Sequence, residues 1–257
     1  MLSQNRQHNS QCEHCTLSSA CQSERSNGEL QLNHMPHRIY HRGETLYSMG
    51  SPFSALYILR SGSAKAYFSS YSGEEQISGF YYPGDLIGLD GFDADTHAYS
   101  LKFLETSSVC SIGVDEFNKT MGESAVLRKQ ILKSMSHAIL GEQQQLFSVN
   151  KYTSEQRLAK FLLDLSNRFQ QRGLSGKVFD LSMTRIDIAN FLGMAIETIS
   201  RLLGKLQQEG IIDVQRRQIR LLNKERLNDS LVADEPAFKA VMHRATSRQH
   251  SSQLSYA

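Results

Sequence analysis

Four cysteines are the residues of this 257-residue chain whose spacing most directly suggests chemistry. Cys12, Cys15 and Cys21 form a C-x2-C-x5-C pattern, and Cys110 follows far along the chain. Clustered thiolates in a reducing compartment indicate a metal site rather than a disulfide framework, and four thiolates suit zinc or an iron-sulfur cluster. We therefore expect these four cysteines to ligate one metal centre. Ligation would supply the energy that orders the polar segment around the first three.

A second constellation, between Thr184 and Gln207, is typical of a helix-turn-helix. Thr184 followed by Asp187 resembles a capping box and predicts a helix start. Gly193 then suits the left-handed residue of a tight turn between two helices. The spacing therefore predicts two short helices in the arrangement that enters the DNA major groove.

On the second of these helices, Glu197, Ser200 and Arg201 share one face. A glutamate accepts a hydrogen bond from cytosine N4, an arginine can fork onto guanine O6 and N7, and serine adapts to several bases. We expect the three residues to contact bases. The alternative is a solvated helix on which Glu197 and Arg201 form a weak ion pair.

Basic residues are concentrated around the same motif. Residues 151–226 hold 14 Lys and Arg against 8 Asp and Glu, a net charge of +6 in a chain whose total is +2. Such a block favours a polyanion partner, since clustered cations release phosphate counterions on binding. Strand-like residues 211–214 and 219–222 flank a basic turn and predict a wing. The expected phosphate contacts are Thr184, Arg185, Lys205, Arg216 and Arg217.

The rest of the chain must position these residues. Glycine-punctuated apolar runs between residues 38 and 114 predict an all-β roll or sandwich, and helical spacing over 124–150 predicts a long helix. That helix is a coiled-coil seam between subunits or a buried spacer. The predicted fold is α+β, with five segments: a Cys-rich lid (1–32), a β-roll sensor domain (33–123), a dimerisation helix (124–150), a winged helix-turn-helix (151–227) and a tail (228–257).

Composition excludes several classes of protein. The chain is 40% hydrophobic and 21% charged, which is ordinary globular composition, and no apolar run has the length of a membrane span. The first residues lack the charged-then-apolar pattern of a secretory signal. We expect a cytoplasmic protein with no membrane partner.

Taken together, the lid, β-roll, long helix and winged helix-turn-helix resemble the cyclic AMP receptor protein superfamily, and within it the oxygen-responsive FNR-type regulators. The resemblance is most specific at Glu197–Gly204, at Glu105–Cys110 and in the C-x2-C-x5-C lid. It implies a jelly-roll-like, cyclic-nucleotide-binding-type sensor domain and a transcription regulator rather than an enzyme.

The resemblance also implies ligands and partners. Cys12, Cys15, Cys21 and Cys110 would hold a [4Fe-4S] cluster. Glu197, Ser200 and Arg201 would read TTGAT-type half-sites of a palindrome in promoters of anaerobic metabolism genes. The helix seam of a homodimer would include Ile139, Glu142 and Leu146, and RNA polymerase would be a further partner. The chain has no arginine between Ser61 and Leu127 to neutralise a cyclic nucleotide phosphate, so we expect no cyclic nucleotide.

A mechanism follows as a hypothesis. In a symmetric seam Glu142 approaches its own copy, and the repulsion leaves the dimer marginal. A modest coupling energy from the intact cluster would then convert monomer to dimer, and only the dimer places two recognition helices one turn of DNA apart. Two alternatives stay open: a zinc-stabilised regulator of the same superfamily, and a redox iron-sulfur protein.

Overall fold

The computed structural model describes residues 37–70 and 73–232, which form two compact units. The first contains residues 37–150 together with Ser182–Ile196, and the second contains residues 151–181 and 197–232. Within these described ranges, no helix is both long and apolar enough to cross a membrane. In chain order the elements are β1 (His37–Tyr40), β2 (Thr45–Tyr47), β3 (Ala55–Ser61), β4 (Ala64–Ser69), β5 (Glu75–Tyr81), β6 (Leu86–Ile87), β7 (Ser100–Phe103), β8 (Ser107–Gly113), α1 (Val114–Glu123), α2 (Ala125–Lys151), α3 (Ser154–Gln171), β9 (Val178–Asp180), α4 (Arg185–Leu192), α5 (Ile196–Gln208), β10 (Ile212–Gln215), β11 (Gln218–Leu221) and α6 (Lys224–Val232).

Two four-stranded sheets form the β-roll of the first unit. Their strand orders are β1-β8-β3-β6 and β2-β7-β4-β5, and the paired neighbours run antiparallel. Strand β5 lies at the edge of its sheet. Side chains alternate between faces along each strand, so Leu56 and Ile58 of β3 both enter the core. This architecture confirms the predicted roll.

Helix α2 is anchored to the β-roll at one end only. Leu127 and Ile131, one helical turn apart, are buried in a core cluster with Leu56, Ile58 and the α1 residue Phe117. Beyond Ile131 the large apolar side chains of the helix are exposed. The predicted helix over 124–150 is thus confirmed, and its first turns are the part that the roll holds.

The second unit holds α3, α5, α6 and a three-stranded sheet of order β10-β11-β9. Helix α3 begins with a capping box: the Gln156 backbone N–H donates to Thr153 Oγ1 at 3.3 Å, and the Thr153 N–H donates to Gln156 Oε1 at 3.0 Å. The Gln156 amide also donates to the Ser230 carbonyl of α6 at 2.9 Å. The Gln156 side chain therefore both caps the N-terminus of α3 and attaches α6 to it.

Strands β10 and β11 pair from Ile212↔Leu221 to Gln215↔Gln218, which leaves residues 216 and 217 as the turn of a hairpin. This hairpin is the predicted wing. Strand β9 completes its sheet and was not predicted. Helix α6 crosses the boundary placed between residues 227 and 228, and the domain boundaries stay predictions.

Candidate nucleic-acid interface and cysteine site

Helix α4 begins where the sequence places a capping box. The Asp187 backbone N–H donates to Thr184 Oγ1 at 3.1 Å, while Asp187 Oδ2 accepts from the Thr184 N–H at 2.9 Å and from its hydroxyl at 2.6 Å. The first N–H groups of a helix have no partner within it, so this pairing fixes the first turn. Thr184 and Arg185 are exposed at the end of the helix where backbone N–H groups attract anions.

Gly193 ends α4 and turns the chain toward α5. Its φ of 62° and ψ of 48° lie in the left-handed region that residues with a Cβ atom rarely adopt. Helix α5 then buries four apolar side chains along one face. They are Ile199, Leu202, Leu203 and Leu206.

The opposite face of α5 carries the predicted base-reading residues. Glu197 and Arg201 are exposed, and Ser200 is half-buried. In the part of the chain that the structure describes, the ion pairs of α5 are made by Lys205, and none joins Glu197 to Arg201. The carboxylate and the guanidinium therefore both face solvent at the start of the helix, as base contacts would require.

Lys205, a predicted phosphate contact, is engaged within its own unit. Its Nζ lies 2.6 Å from Glu155 Oε2 on α3 and 3.9 Å from Glu209 Oε1. The hydrogen bond that Lys205 donates to the Glu155 carboxylate raises the pKa of Lys205, so the side chain stays charged at neutral pH. A phosphate would have to compete with the Glu155 carboxylate for this cation.

The two arginines of the wing differ in their roles. Arg216 is exposed and has a φ of 57°, in the left-handed region. Arg217 donates from Nε to the Leu181 carbonyl at 3.0 Å, and its own carbonyl accepts from the Leu181 N–H at 2.8 Å. Arg217 therefore anchors the wing to the strand end at Leu181, while Arg216 presents its guanidinium at the tip.

Of the predicted metal ligands, Cys110 alone falls within the described residues; Cys12, Cys15 and Cys21 lie outside them. Cys110 is half-buried in the middle of β8. Its Cα partner on β1 is His37, the first described residue of the chain. Among residues 37–70 and 73–232 no group of three or more His, Cys, Asp or Glu side chains is arranged to hold a metal ion. The rest of the ligand set would have to come from the Cys-rich segment.

The predicted seam residues lie on an exposed apolar stripe of α2. Ile139 is 54% exposed and Leu146 is 69% exposed, and Glu142 is exposed between them. The stripe alternates steps of three and four residues, the spacing of a coiled-coil seam. Its members are Leu132, Met135, Ile139, Glu142, Leu146 and Val149.

A β-roll followed by a long helix and a winged helix-turn-helix defines a class of DNA-binding regulators. Two family models match the chain: the Cyclic nucleotide-binding domain over residues 37–124 and the Crp-like helix-turn-helix domain over residues 156–230. The chain belongs to the Crp/FNR superfamily of transcription regulators.

Several characterised regulators resemble it over most of their length. It is 42% identical to Electron transport regulator A of Shewanella oneidensis, over 73% of this chain and 75% of that protein. It is 39% identical to the Fumarate and nitrate reduction regulatory protein of Vibrio cholerae, over 84% of this chain and 88% of that protein. Among solved structures, FixK2 from Bradyrhizobium japonicum matches with a TM-score of 0.71 and 26% identity, covering 79% of this chain and 98% of that one.

The structure also reveals a polar cluster around Lys65 that sequence analysis did not single out. Lys65 Nζ lies 3.0 Å from Asp187 Oδ1 of α4 and 2.8 Å from Glu75 Oε2 of β5, and Lys102 Nζ lies 3.1 Å from Glu75 Oε1. All four residues belong to the first unit. No local pattern predicts this cluster, because its members are far apart in the chain. The sequence offered one signal for a buried polar cluster, which is the charged Lys65 within a mainly apolar strand.

Proposed function

We propose that this protein is an oxygen-responsive transcription regulator that binds palindromic TTGAT-type promoter sites as a homodimer and controls anaerobic metabolism genes. The observation that carries the proposal is the exposed face of α5, where Glu197 and Arg201 are not paired with each other. Relatives named as fumarate and nitrate reduction and anaerobic regulatory proteins support this assignment. A regulator that binds promoters would act in the cytoplasm, and RNA polymerase would be its partner there.

The residues of α5 would supply the sequence specificity. Arg201 can donate two parallel hydrogen bonds to guanine, Glu197 can accept from a cytosine amino group, and Ser200 lies between them on the same face. Thr184, Arg185, Lys205, Arg216 and Arg217 would position the protein through phosphates, with Lys205 exchanging its Glu155 partner for the backbone.

Cys12, Cys15, Cys21 and Cys110 would hold a [4Fe-4S] cluster. The donor set fits, because four thiolates match a cluster of this type. Cys110 is the Cα partner of His37, the residue at which the described part of the chain begins. When bound, the cluster supplies a centre that reacts with oxygen. Four thiolates also suit zinc, which gives the alternative of a zinc-stabilised regulator. We propose no cyclic nucleotide ligand, since no arginine lies between Ser61 and Leu127 to pair with its phosphate.

The exposed stripe of α2 would form the dimer interface. An apolar heptad stripe in water is stabilised by packing against a copy of itself, and a twofold axis along it would bring the two Glu142 carboxylates together. A homodimer would carry two α5 helices, one for each half-site of the palindrome.

Anaerobic purification followed by a DNA-binding assay tests the proposal. We expect bound iron and sulfide, an absorbance that bleaches in air, and binding to a TTGAT palindrome that air abolishes. Glu197→Ala and Arg201→Ala should each weaken specific binding by about tenfold to a hundredfold while leaving the iron content unchanged. Exposed Glu116 of α1 gives the matched control, Glu116→Ala.

Each alternative gives a different result in the same assay. A zinc regulator would be colourless and would bind DNA equally in air and under anaerobic conditions. A redox iron-sulfur protein would be coloured and would show no preference for the palindrome over an unrelated duplex. Either result would overturn the proposal.

A further inference from the structure

Lys205 of α5 lies beside two carboxylates of the second unit. Its Nζ donates to Glu155 Oε2 on the first turn of α3 at 2.6 Å, whereas Glu209 Oε1, one turn further along α5, is 3.9 Å away. All three residues belong to the second unit. The first contact is a short hydrogen bond between charged groups and the second is only a longer ion pair, so Glu155 is the main partner of Lys205.

The start of α3 does not need the Glu155 carboxylate. Thr153 and Gln156 make the capping box that begins the helix, and neither of its hydrogen bonds involves Glu155. The Lys205 and Glu155 side chains are 48% and 35% exposed, and an exposed ion pair of this kind contributes little to stability. Another anion can therefore replace the Glu155 carboxylate at small cost to the fold.

Lys205 continues the proposed base-reading face of α5. Glu197, Arg201 and Lys205 follow one another at intervals of four residues, which places them along one side of the helix. The hydrogen bond to Glu155 raises the pKa of Lys205, and the Arg201 guanidinium is close enough to oppose that rise. A phosphate that approaches Lys205 also approaches the Glu155 carboxylate, and the two anions repel each other.

We propose that Glu155 is a positioning residue that competes with DNA phosphate for Lys205 and lowers the affinity of a single winged helix-turn-helix for any duplex. This inference rests on the proposed function, because it concerns how α5 meets DNA. A lysine that is already paired with a carboxylate contributes less to the counterion release that drives binding to phosphates. When one winged helix-turn-helix binds weakly, occupancy of a promoter depends on two of them joined in a dimer, so DNA binding follows dimerisation.

Binding of the full-length protein to two duplexes in air tests the proposal. One duplex carries a single TTGAT half-site and the other is an unrelated sequence of the same length, and fluorescence anisotropy gives the dissociation constants from low salt upward. We expect Glu155→Gln to tighten binding to both duplexes by the same factor, about threefold to tenfold at low salt, because Lys205 then releases a counterion on reaching a phosphate. The plot of log affinity against log salt concentration should become steeper by up to about one.

Glu225→Gln is the matched control, since Glu225 is an exposed carboxylate in the first turn of α6 in the same unit. Within the described residues, the ion pairs of Lys205 are made with Glu155 and Glu209, so this variant removes the same charge and leaves them in place. It should change affinity by less than about twofold and keep the wild-type salt slope. The difference between the two variants then measures the Glu155–Lys205 contact.

A Lys205→Gln background shows whether Glu155 acts through Lys205. Lys205→Gln alone should weaken binding to both duplexes, and adding Glu155→Gln to it should give no gain beyond that of Glu225→Gln. The proposal is wrong if Glu155→Gln behaves as Glu225→Gln does, or if it gives its full gain without Lys205. A wild type with no preference for a TTGAT palindrome under anaerobic conditions would instead contradict the proposed function, and the variants on the unrelated duplex would still decide the role of Glu155.

Discussion

At the tip of the wing, Arg216 combines an unfavourable backbone conformation with a favourable place for a cation. Its φ of 57° costs an L-residue about 1–2 kcal/mol relative to the right-handed region. Glycine, which turns of this kind prefer, carries no such cost. A strained residue at an exposed tip is a reason to expect a function for its side chain, and here the guanidinium is exposed on a basic unit.

Replacing Arg216 by glycine should separate the two effects. We expect Arg216→Gly to raise the free energy of unfolding by about 0.5–1 kcal/mol, after allowing for the greater freedom of glycine in the unfolded chain. It should weaken binding to all DNA sequences alike and lower the salt slope of binding by about one. Denaturant titration and binding assays at several salt concentrations measure both.

Arg216→Ala serves as the matched control, because it removes the charge and keeps the strain. It should reproduce the loss of DNA affinity without the gain in stability. Equal stability of the Gly and Ala variants would show that the turn is not strained.

At the scale of elements, short sequence motifs were sufficient to predict helix starts and turns, because interactions between neighbouring residues decide these features. The capping box at Thr184 and the left-handed Gly193 were both predicted and are both present. The T-x-x-Q signal at Thr153, which starts α3, was equally readable and was missed. Strand β9 is only three residues long, too short for alternation to reveal it.

The docking of α4 could not be predicted in the same way. The Asn190 side chain of α4 hydrogen-bonds to the backbone of β5, but the two lie far apart in the chain, and their pairing depends on which strand ends at the edge of a sheet. An asparagine near a helix end is an ordinary feature of a turn, so nothing in the sequence marks it as a partner for a strand. The proposed metal site is a similar case, because cysteine spacing suggests the ligands but does not show that they lie close together.

Asp187 links the start of α4 to its attachment on the β-roll. Burial alone would raise the pKa of this carboxyl, but the hydrogen bonds from Thr184 and Lys65 outweigh it and lower the pKa. A lowered pKa in the folded state means that the carboxylate stabilises the fold above its unfolded pKa, near 4, and loses this contribution as the pH falls through the folded value. The pKa of Glu75 is lowered by the same balance between burial and its two lysines.

Asp187→Asn should therefore destabilise the protein in a pH-dependent way. We expect a loss of about 1–3 kcal/mol in the free energy of unfolding at pH 7, because the variant leaves the buried Lys65 ammonium with one carboxylate fewer. The difference from wild type should shrink as the pH falls below about 4, the unfolded value, and should close once Asp187 is protonated in the folded state as well, below its lowered pKa. Chemical unfolding at pH 7 and in acid provides the measurement.

The exposed ion pair of Lys160 and Asp164 supplies the comparison for that prediction. Asp164 is 54% exposed, so Asp164→Asn should change stability by no more than about 0.5 kcal/mol at either pH. A penalty for Asp187→Asn that stays constant from pH 7 into acid would contradict the assigned role of the charge.

For the whole molecule, the exposed stripe of α2 is the surface through which we propose that two copies associate. The helix has 27 residues and is about 40 Å long, and only its first turns are buried in the β-roll. Ile139 and Leu146 would pack in a seam one turn before and after Glu142. A carboxylate at such a position would oppose the association that its apolar neighbours favour, so the proposed dimer would be close to dissociation.

Removing that carboxylate should shift the equilibrium toward the dimer. Two carboxylates about 4 Å apart in a partly solvated seam repel by roughly 1–4 kcal/mol, so Glu142→Ala should tighten dimerisation by about tenfold or more. We expect this variant to be dimeric and to bind the TTGAT palindrome in air, whereas wild type would need anaerobic conditions. Sedimentation over a range of concentrations gives the dimer dissociation constant.

Glu116→Ala, which removes an exposed carboxylate from α1, should leave the constant unchanged. Ile139→Glu should weaken the dimer, because it adds a second charge to the same stripe. A monomer–dimer equilibrium that none of these substitutions moves would place the dimer interface elsewhere on the molecule.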